Sequence, residues 1–179
     1  IDKFGNVSNL IKKDGFKIDH EIFMLVEGES NLTMAKSTGL GLIELSTILY
    51  QEKPDIVVTV GDRFETMATA IAAAYMNIPL AHTMGGEVSG TIDESIRHAI
   101  TKFSHIHFPA SLDAYQRILK LGENKDDVYL VGCPRIDLVK SMLGKKPKNL
   151  NKEHNHIELQ APIQEEFAAY STEPNPETN

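Results

Sequence analysis

The chain has 179 residues, of which 41% are hydrophobic and 24% charged, and its formal net charge is −7. This length and balance suffice to bury the core of one globular domain, which excludes wholesale disorder. The acidic balance argues against a nucleic-acid binder. The lack of an apolar run of about 20 residues argues against a membrane span. The lone Cys133 fits a reducing, cytoplasmic compartment.

The predicted elements alternate between helix and strand along the chain. Apolar residues at helical intervals predict a helix over 32–52. The β-branched run at 56–60 predicts a parallel strand that is covered on both faces. Seven further elements follow: helix 63–77, strand 79–84, helix 92–102, strand 105–110, helix 112–122, strand 127–132 and a helix from about 135.

This alternation predicts an α/β fold, a Rossmann-like parallel sheet with flanking helices on both faces. We expect residues 1–143 to form this domain. Residues 144–179 are polar and contain several prolines, which predicts a largely disordered tail. Because ligands bind at the carboxyl ends of parallel strands, the polar residues that follow each strand are the candidate site.

The first such cluster is VGDRFET, residues 60–66. Asp62 directly follows the predicted strand and could bind a sugar hydroxyl or act as an acid or base. Alternatively, Asp62 caps the next helix, with Glu65 three residues on as in a capping box. The two roles can coexist.

The second cluster is HTMGGEVSGTIDESIRHAI, residues 82–100. Gly85 and Gly86 allow a tight turn or a close approach of the backbone to a ligand. Glu87 would then lie at the mouth of the cleft. Thr91 and Glu94 have the spacing of a capping box, which gives Glu94 a structural explanation.

Asp93 and Arg97 are four residues apart on one helical face of this second cluster. Their structural explanation is a surface ion pair, and the functional one is a catalytic pair. His98, as a lone helix histidine, is more typical of a surface or core position.

Other motifs are weaker. His105 and His107 share one strand face, a geometry that could bind a metal, but packed or hydrogen-bonded histidines are the expected outcome. Cys133 follows a predicted strand without a paired base, so a catalytic thiol is not expected. The chain contains neither a P-loop nor a G-x-G-x-x-G motif, so no motif implies ATP or NAD, and we expect neither a cofactor nor a metal.

Three segments together resemble the UDP-N-acetylglucosamine 2-epimerase family, and most closely its hydrolysing branch. They are PDIVVTVGDRFET, IPLAHTMGGEVSGTIDESIRHAITKFSHIHF and VYLVGCPRID. The resemblance covers about residues 14–142. It implies one half of a two-domain GT-B fold with the active site between the halves.

The resemblance also implies a reaction. The C2 proton of the N-acetylglucosamine unit is removed and UDP is expelled from C1. Water then adds, which releases N-acetylmannosamine for sialic-acid or related synthesis. Asp62, Glu87 and Asp93 match the family's catalytic carboxylates, and Arg97 matches its arginine near the diphosphate. The matching positions for substrate binding are Gly85, Gly86, Ser89, His98 and Arg135.

The expected partner is UDP-N-acetylglucosamine or a related UDP-sugar, with neither nucleic acid nor membrane, and a homo-oligomer is expected for the intact protein. The family's first strand and second domain find no match in this sequence, so we expect an N-terminal fragment with little activity alone. The alternatives are a non-hydrolysing epimerase and a non-catalytic module that associates with partner subunits.

Overall fold

The computed structural model of the chain describes residues 7–28 and 30–142. The predicted tail at 144–179 lies outside this range, so the domain boundary near residue 143 stays a prediction. The elements in chain order are α1 (Val7–Lys13), α2 (Asn31–Glu52), β1 (Val57–Val60), α3 (Phe64–Tyr75), β2 (Leu80–Thr83), α4 (Ile92–Phe103), β3 (Ile106–Phe108), α5 (Leu112–Lys120), a 3₁₀ turn (Lys125–Asp127) and α6 (Pro134–Met142).

The three strands form a parallel sheet in the order β1-β2-β3, which confirms the predicted α/β fold. In the register of the sheet, Val57 lies opposite Leu80, and His82 lies opposite His107. The carboxyl ends of β1 and β2 therefore meet at one edge, where Gly61 N–H donates to the Thr83 carbonyl at 3.4 Å.

The core lies between the sheet and helices α2, α3 and α4. Helix α3 is rich in buried alanines, whose small side chains let neighbouring elements approach it closely. The core cluster consists of Leu49, Val57, Ala70, Ala72, Ala73, Leu80 and Ile100. The side chains of α3 that are fully buried are thus its alanines, whereas Tyr75 at its end is 88% exposed.

Strand β1 is covered on one face only among the described residues, so the prediction of burial on both faces is wrong for this part of the chain. Val57 and Thr59 are buried, whereas Val58 and Val60 are 58% and 66% exposed. The strand order equals the chain order, and right-handed connections in such an order place α3 and α4 on the same face. The two exposed valines point to the opposite face.

The predicted strand at 127–132 is also wrong, because the segment forms only a single bridge between Val128 and His107. Tyr129 N–H donates to the His107 carbonyl at 2.8 Å, and Val131 N–H donates to the Pro109 carbonyl at 3.2 Å. A parallel ladder needs a return bond from residue 109 between these two. Proline has no N–H, so that bond cannot form and the ladder stops.

Helix α1 was not predicted, because its seven residues are too few for a helical period to stand out. The other helices lie within a few residues of their predicted bounds. In the part of the chain that the structure describes, no helix combines the length and the apolar character that crossing a membrane requires.

Candidate active site

Asp62, half-buried where β1 ends, forms an ion pair with the buried Arg97. Arg97 lies on α4 with 8% of its side chain exposed, and its Nη2 donates to Asp62 Oδ2, whose side chain is 24% exposed. The Nη1 atom of the same guanidinium donates to the Glu87 carbonyl at 2.7 Å. Arg97 therefore links the turn after β1 to the turn after β2. Burial lowers the pKa of Arg97, although an arginine remains charged at neutral pH.

This pair decides two alternatives that the sequence left open. Helix α3 has Arg63 as its N-cap without a side-chain capping bond, so the capping interpretation of Asp62 is wrong. The predicted surface pair of Asp93 with Arg97 is wrong too, because Arg97 turns inward to Asp62. Asp93 is half-buried in the first turn of α4, and no described residue forms an ion pair with it.

Glu94 organises the loop before α4, though not as a capping box. Its Oε2 accepts hydrogen bonds from the backbone N–H of Gly90 at 2.8 Å and of Ser89 at 2.9 Å. These bonds lower the pKa of the Glu94 carboxyl below its ordinary value. Thr91 is the N-cap but makes no side-chain capping bond. The capping-box prediction is thus wrong in detail, while the structural role of Glu94 is confirmed.

Glu87 is held by α5, an element that the sequence did not connect with the site. Ser111 Oγ donates to Glu87 Oε1 at 2.9 Å. On the same helix, the Nη1 atom of Arg117 donates to the Gly86 carbonyl. The one sequence signal for Ser111 was its position as a typical N-cap residue before the predicted helix, and nothing signalled Arg117.

The glycine pair packs closely against these supports. Gly86 has φ +79°, and a Cβ there would lie 2.4 Å from the Ala114 carbonyl oxygen of α5. A Cβ on Gly85 would lie 2.9 Å from His82 Nδ1. The predicted tight turn is confirmed, and the close approach that the structure contains is to α5 and His82.

His82 is a further site residue that the sequence analysis missed. It is fully buried in β2, and its Nε2 forms a 2.8 Å hydrogen bond with the Gly61 carbonyl. Its Nδ1 lies 3.4 Å from Thr101 Oγ1 on α4. Burial lowers the pKa of His82 to about 4, so the ring is neutral at pH 7 and Nε2 carries the proton that Gly61 accepts.

The remaining predicted residues lie around this cluster. Ser89 is exposed, with its Oγ 3.5 Å from Arg97 Nη2. His98 Nε2 lies 4.0 Å from Glu94 Oε1, and its buried Nδ1 has no partner in the ranges described. Arg135 is exposed in α6. The substrate-binding role of these residues stays a prediction.

Of the two histidines, His107 in β3 is packed as expected, whereas His105 directly precedes β3 and is exposed but hydrogen-bonded. His107 is buried with its Nε2 3.4 Å from Glu123 Oε2, while His105 Nδ1 accepts from Leu80 N–H at 3.3 Å. Burial lowers the pKa of His107, opposed by the nearby Glu123 carboxylate. Residues 7–28 and 30–142 contain no cluster of three side chains with metal-binding geometry.

Comparison with known proteins identifies the family of this chain. Residues 4–170 match the sequence model of the UDP-N-acetylglucosamine 2-epimerase family. The chain is 42% identical over 134 residues to the UDP-N,N'-diacetylbacillosamine 2-epimerase (hydrolyzing) of Legionella pneumophila, covering 75% of this chain and 36% of the relative. It is 37% identical over 151 residues to the GDP/UDP-N,N'-diacetylbacillosamine 2-epimerase (hydrolyzing) of Campylobacter jejuni, covering 84% and 39% respectively.

Solved structures have the same fold. The UDP-GlcNAc 2-epimerase of Methanocaldococcus jannaschii, in complex with UDP-GlcNAc and UDP, has a TM-score of 0.66 at 25% identity, over 76% of this chain and 37% of that one. The Neisseria meningitidis enzyme bound to UDP-GlcNAc has a TM-score of 0.67 at 23% identity, over 76% and 38%. The chain thus spans less than two fifths of these relatives. It belongs to the UDP-N-acetylglucosamine 2-epimerase family and has the fold of the N-terminal part of its GT-B architecture.

Proposed function

We propose that this chain forms one side of the active site of a hydrolysing nucleotide-sugar 2-epimerase. The observation that carries the proposal is the convergence of Asp62, Glu87 and Arg97 at the carboxyl edge of the sheet, where α/β proteins bind ligands. The 42% identity to a hydrolysing epimerase supports the hydrolysing branch over the non-hydrolysing one.

The reaction needs an acid and a base in a defined place. The C2 proton of the sugar is weakly acidic, so a positioned base must take it as the C1–O bond to UDP breaks. A carboxylic acid must then deliver a proton while water adds to the resulting double bond. Asp62, Glu87 and Asp93 are the proposed groups for these steps.

Arg97 has a role in this proposal that the sequence did not suggest. Two of its nitrogens are engaged inside the protein, one by Asp62 and one by the Glu87 carbonyl. It therefore holds Asp62 in one orientation. Its positive charge still favours an anionic leaving group such as UDP at this edge of the sheet.

The proposed substrate is a UDP-linked 2-acetamido sugar. The names of the Legionella and Campylobacter relatives specify a 2,4-diacetamido sugar, whereas a Neisseria meningitidis relative at 31% identity is named for UDP-N-acetylglucosamine. Both sugars carry the acetamido group at C2 where the proton is removed.

Substrate contacts are proposed for Gly85, Gly86, Ser89, His98 and Arg135. The setting proposed is the cytoplasm, in sialic or related acid synthesis, with a homo-oligomeric intact enzyme.

A chimera provides the test of activity. We would replace the matched 134-residue segment of the Legionella relative by the corresponding segment of this chain and measure UDP release from both UDP-sugars, alongside the 179-residue chain alone. The chimera should release UDP with repeated turnover, and the 179-residue chain alone should release little. Asp62→Asn and Glu87→Gln should each lower kcat about 100-fold or more.

Asp55→Asn is the matched control, because this exposed carboxylate lies at the opposite end of β1. It should leave kcat unchanged. A chimera that folds but releases no UDP, or one that keeps full activity without both carboxylates, would contradict the proposal.

A second candidate is a non-catalytic module that associates with other subunits. Two features of β1 favour it: the strand is at an edge of the described sheet, which invites pairing, and its side chains Val58 and Val60 expose an apolar face. Size-exclusion chromatography of the 179-residue chain, with and without the intact Legionella relative, tests it. Association without any activity in the chimera would favour this candidate.

A further inference from the structure

Helix α5 is the element that holds the turn after β2, and Ser111 is its contact with the Glu87 carboxylate. Ser111 is the N-cap of α5, and its Oγ accepts a hydrogen bond from Ala114 N–H at 3.2 Å. The same hydroxyl donates to Glu87 Oε1 at 2.9 Å. A serine hydroxyl has one proton, so the cap uses its acceptor capacity and Glu87 takes its only donor.

The turn itself gives the side chain of Glu87 little restraint, although its backbone is held. The glycine pair Gly85–Gly86 precedes it, and the side chains that follow, Val88 and Ser89, are exposed. A free glutamate side chain samples many rotamers, and fixing it costs conformational entropy. Among the residues that the structure describes, Ser111 alone hydrogen-bonds the Glu87 carboxylate.

Arg117 strengthens this connection from two turns further along α5. It donates to the Gly86 carbonyl, and a Cβ on Gly86 would collide with the Ala114 carbonyl. These two contacts fix the distance between the backbone of the turn and the start of α5. At this distance the hydroxyl of the N-cap residue reaches the Glu87 carboxylate.

We propose that Ser111 is a positioning residue that fixes the orientation of the Glu87 carboxylate through its hydroxyl proton. The inference deepens the proposed function and rests on it for the consequence in catalysis. A misplacement of a catalytic group by about 1 Å can lower a rate about 100-fold. Loss of the Ser111 donor should therefore lower kcat more than it raises KM.

The test must separate this role from the capping role. Asp and Gly are both tolerated at N-caps, and Gly is only slightly less stabilising there than Ser. Neither can donate a hydrogen bond from its side chain to Glu87. Ser111→Asp and Ser111→Gly thus keep the N-cap of α5 but remove the donor to Glu87. Ser111→Asp also adds a charge, and Ser111→Gly does not. Ser111→Thr keeps both the cap and the donor.

In the Legionella chimera, we expect Ser111→Gly and Ser111→Asp to lower kcat about 10- to 100-fold with KM changed less than about threefold. Ser111→Thr should restore kcat to within about threefold of the parent. A purely structural role predicts the opposite pattern, in which Ser111→Asp retains kcat because it retains the cap. Wild-type kcat in both variants that lack the donor would overturn the proposal.

Crystal structures of the 179-residue chain and its Ser111→Gly variant provide a readout that does not depend on activity. The Glu87 side chain should occupy one orientation in the parent and another, or several, in the variant, with α5 unchanged. An unmoved Glu87 would overturn the positioning role. If the parent chimera is inactive but Glu87 moves, the proposed function fails while the positioning role stands.

Discussion

The turns after β1 and β2 present their carboxylates at the same edge of the sheet but hold them in different ways. Asp62, after β1, is bound by the guanidinium of a buried arginine. Glu87, after β2, is bound by the hydroxyl of a half-buried serine. The first arrangement pairs a partly exposed carboxylate with a buried charge of opposite sign, and the second pairs a carboxylate with a neutral donor.

The difference predicts how each turn responds to change. A charge whose buried partner is removed loses its compensation, whereas a charge that loses a hydroxyl can turn toward solvent. Loss of the partner of Asp62 should therefore lower the stability of the fold, whereas loss of the partner of Glu87 should change the orientation of its carboxylate. This expectation concerns the side chain of Glu87 and not the backbone of its turn, which is packed tightly against α5.

The largest effect should come from Gly86→Ala. The new Cβ meets the Ala114 carbonyl oxygen, and alanine is strained at φ +79°. We expect a loss of about 4 kcal/mol in the free energy of unfolding, measured by urea denaturation. Gly122→Ala is the matched control, since Gly122 has φ +90° with open space around it. Its cost should be about 1–2 kcal/mol, and an equal cost at both positions would mean that the contact with α5 is unimportant.

The next effect is a pH dependence that links the two turns through His82. Its pKa is lowered by burial to about 4 from its ordinary value of 6.5, so the unfolded chain binds the proton more readily. The stability that this histidine contributes is complete above pH 6.5 and is lost as the pH falls toward 4. The loss over this window should be about 3 kcal/mol.

His82→Gln isolates this contribution, because glutamine can donate to the Gly61 carbonyl but does not titrate. Unfolding curves of both proteins from pH 7 to pH 4 should converge as the pH falls. His107 is present in both proteins, so its titration largely cancels. Parallel curves would show that His82 does not couple folding to pH.

A smaller effect is expected from Arg97→Met. Asp62 then loses its partner, but its 24% exposure lets water compensate in part, so we expect a loss of about 2 kcal/mol. Arg97→Lys should lie between the parent and Arg97→Met, because one ammonium cannot match the two contacts of the guanidinium. Urea denaturation at low and at high salt measures both. Equal stability of all three proteins would contradict the pairing.

The smallest effect should come from Glu94→Gln. The carboxylate accepts two backbone N–H bonds in the loop between the second turn and α4, and the amide oxygen accepts them without the charge. We expect a small decrease in the melting temperature at pH 7 that disappears as acid protonates Glu94 in the parent. A decrease that persists in acid would point to another cause.

Much of the fold followed from the sequence, because local patterns carry the needed information. The spacing of apolar residues in α2 and α3 placed both helices. The failures were non-local. The ladder at 127–132 stops at Pro109, on a different strand, and the exposed face of β1 depends on which side the connecting helices take.

The candidate site also separates into local features that were predicted and non-local ones that were not. The cluster that contains Asp62, Glu87 and Arg97 was identified from its motif, but the hydrogen bonds and ion pair within it were not predicted. Capping patterns are local, and they predicted bonds for Asp62 and Glu94 that the structure replaces with others. Ser111 and His82 were missed because each acts on a residue more than 20 positions away.

The sequence by itself determined the alternation of strands and helices, the family and the residue types at the sheet edge, since each depends on the order of neighbouring residues. Only the tertiary structure decided which partner each carboxylate has. Arg97 is four residues from Asp93 but bonds Asp62, 35 residues away. The physical reason is that packing the apolar side of α4 onto the sheet turns Arg97 inward, where a buried guanidinium needs a carboxylate beside it.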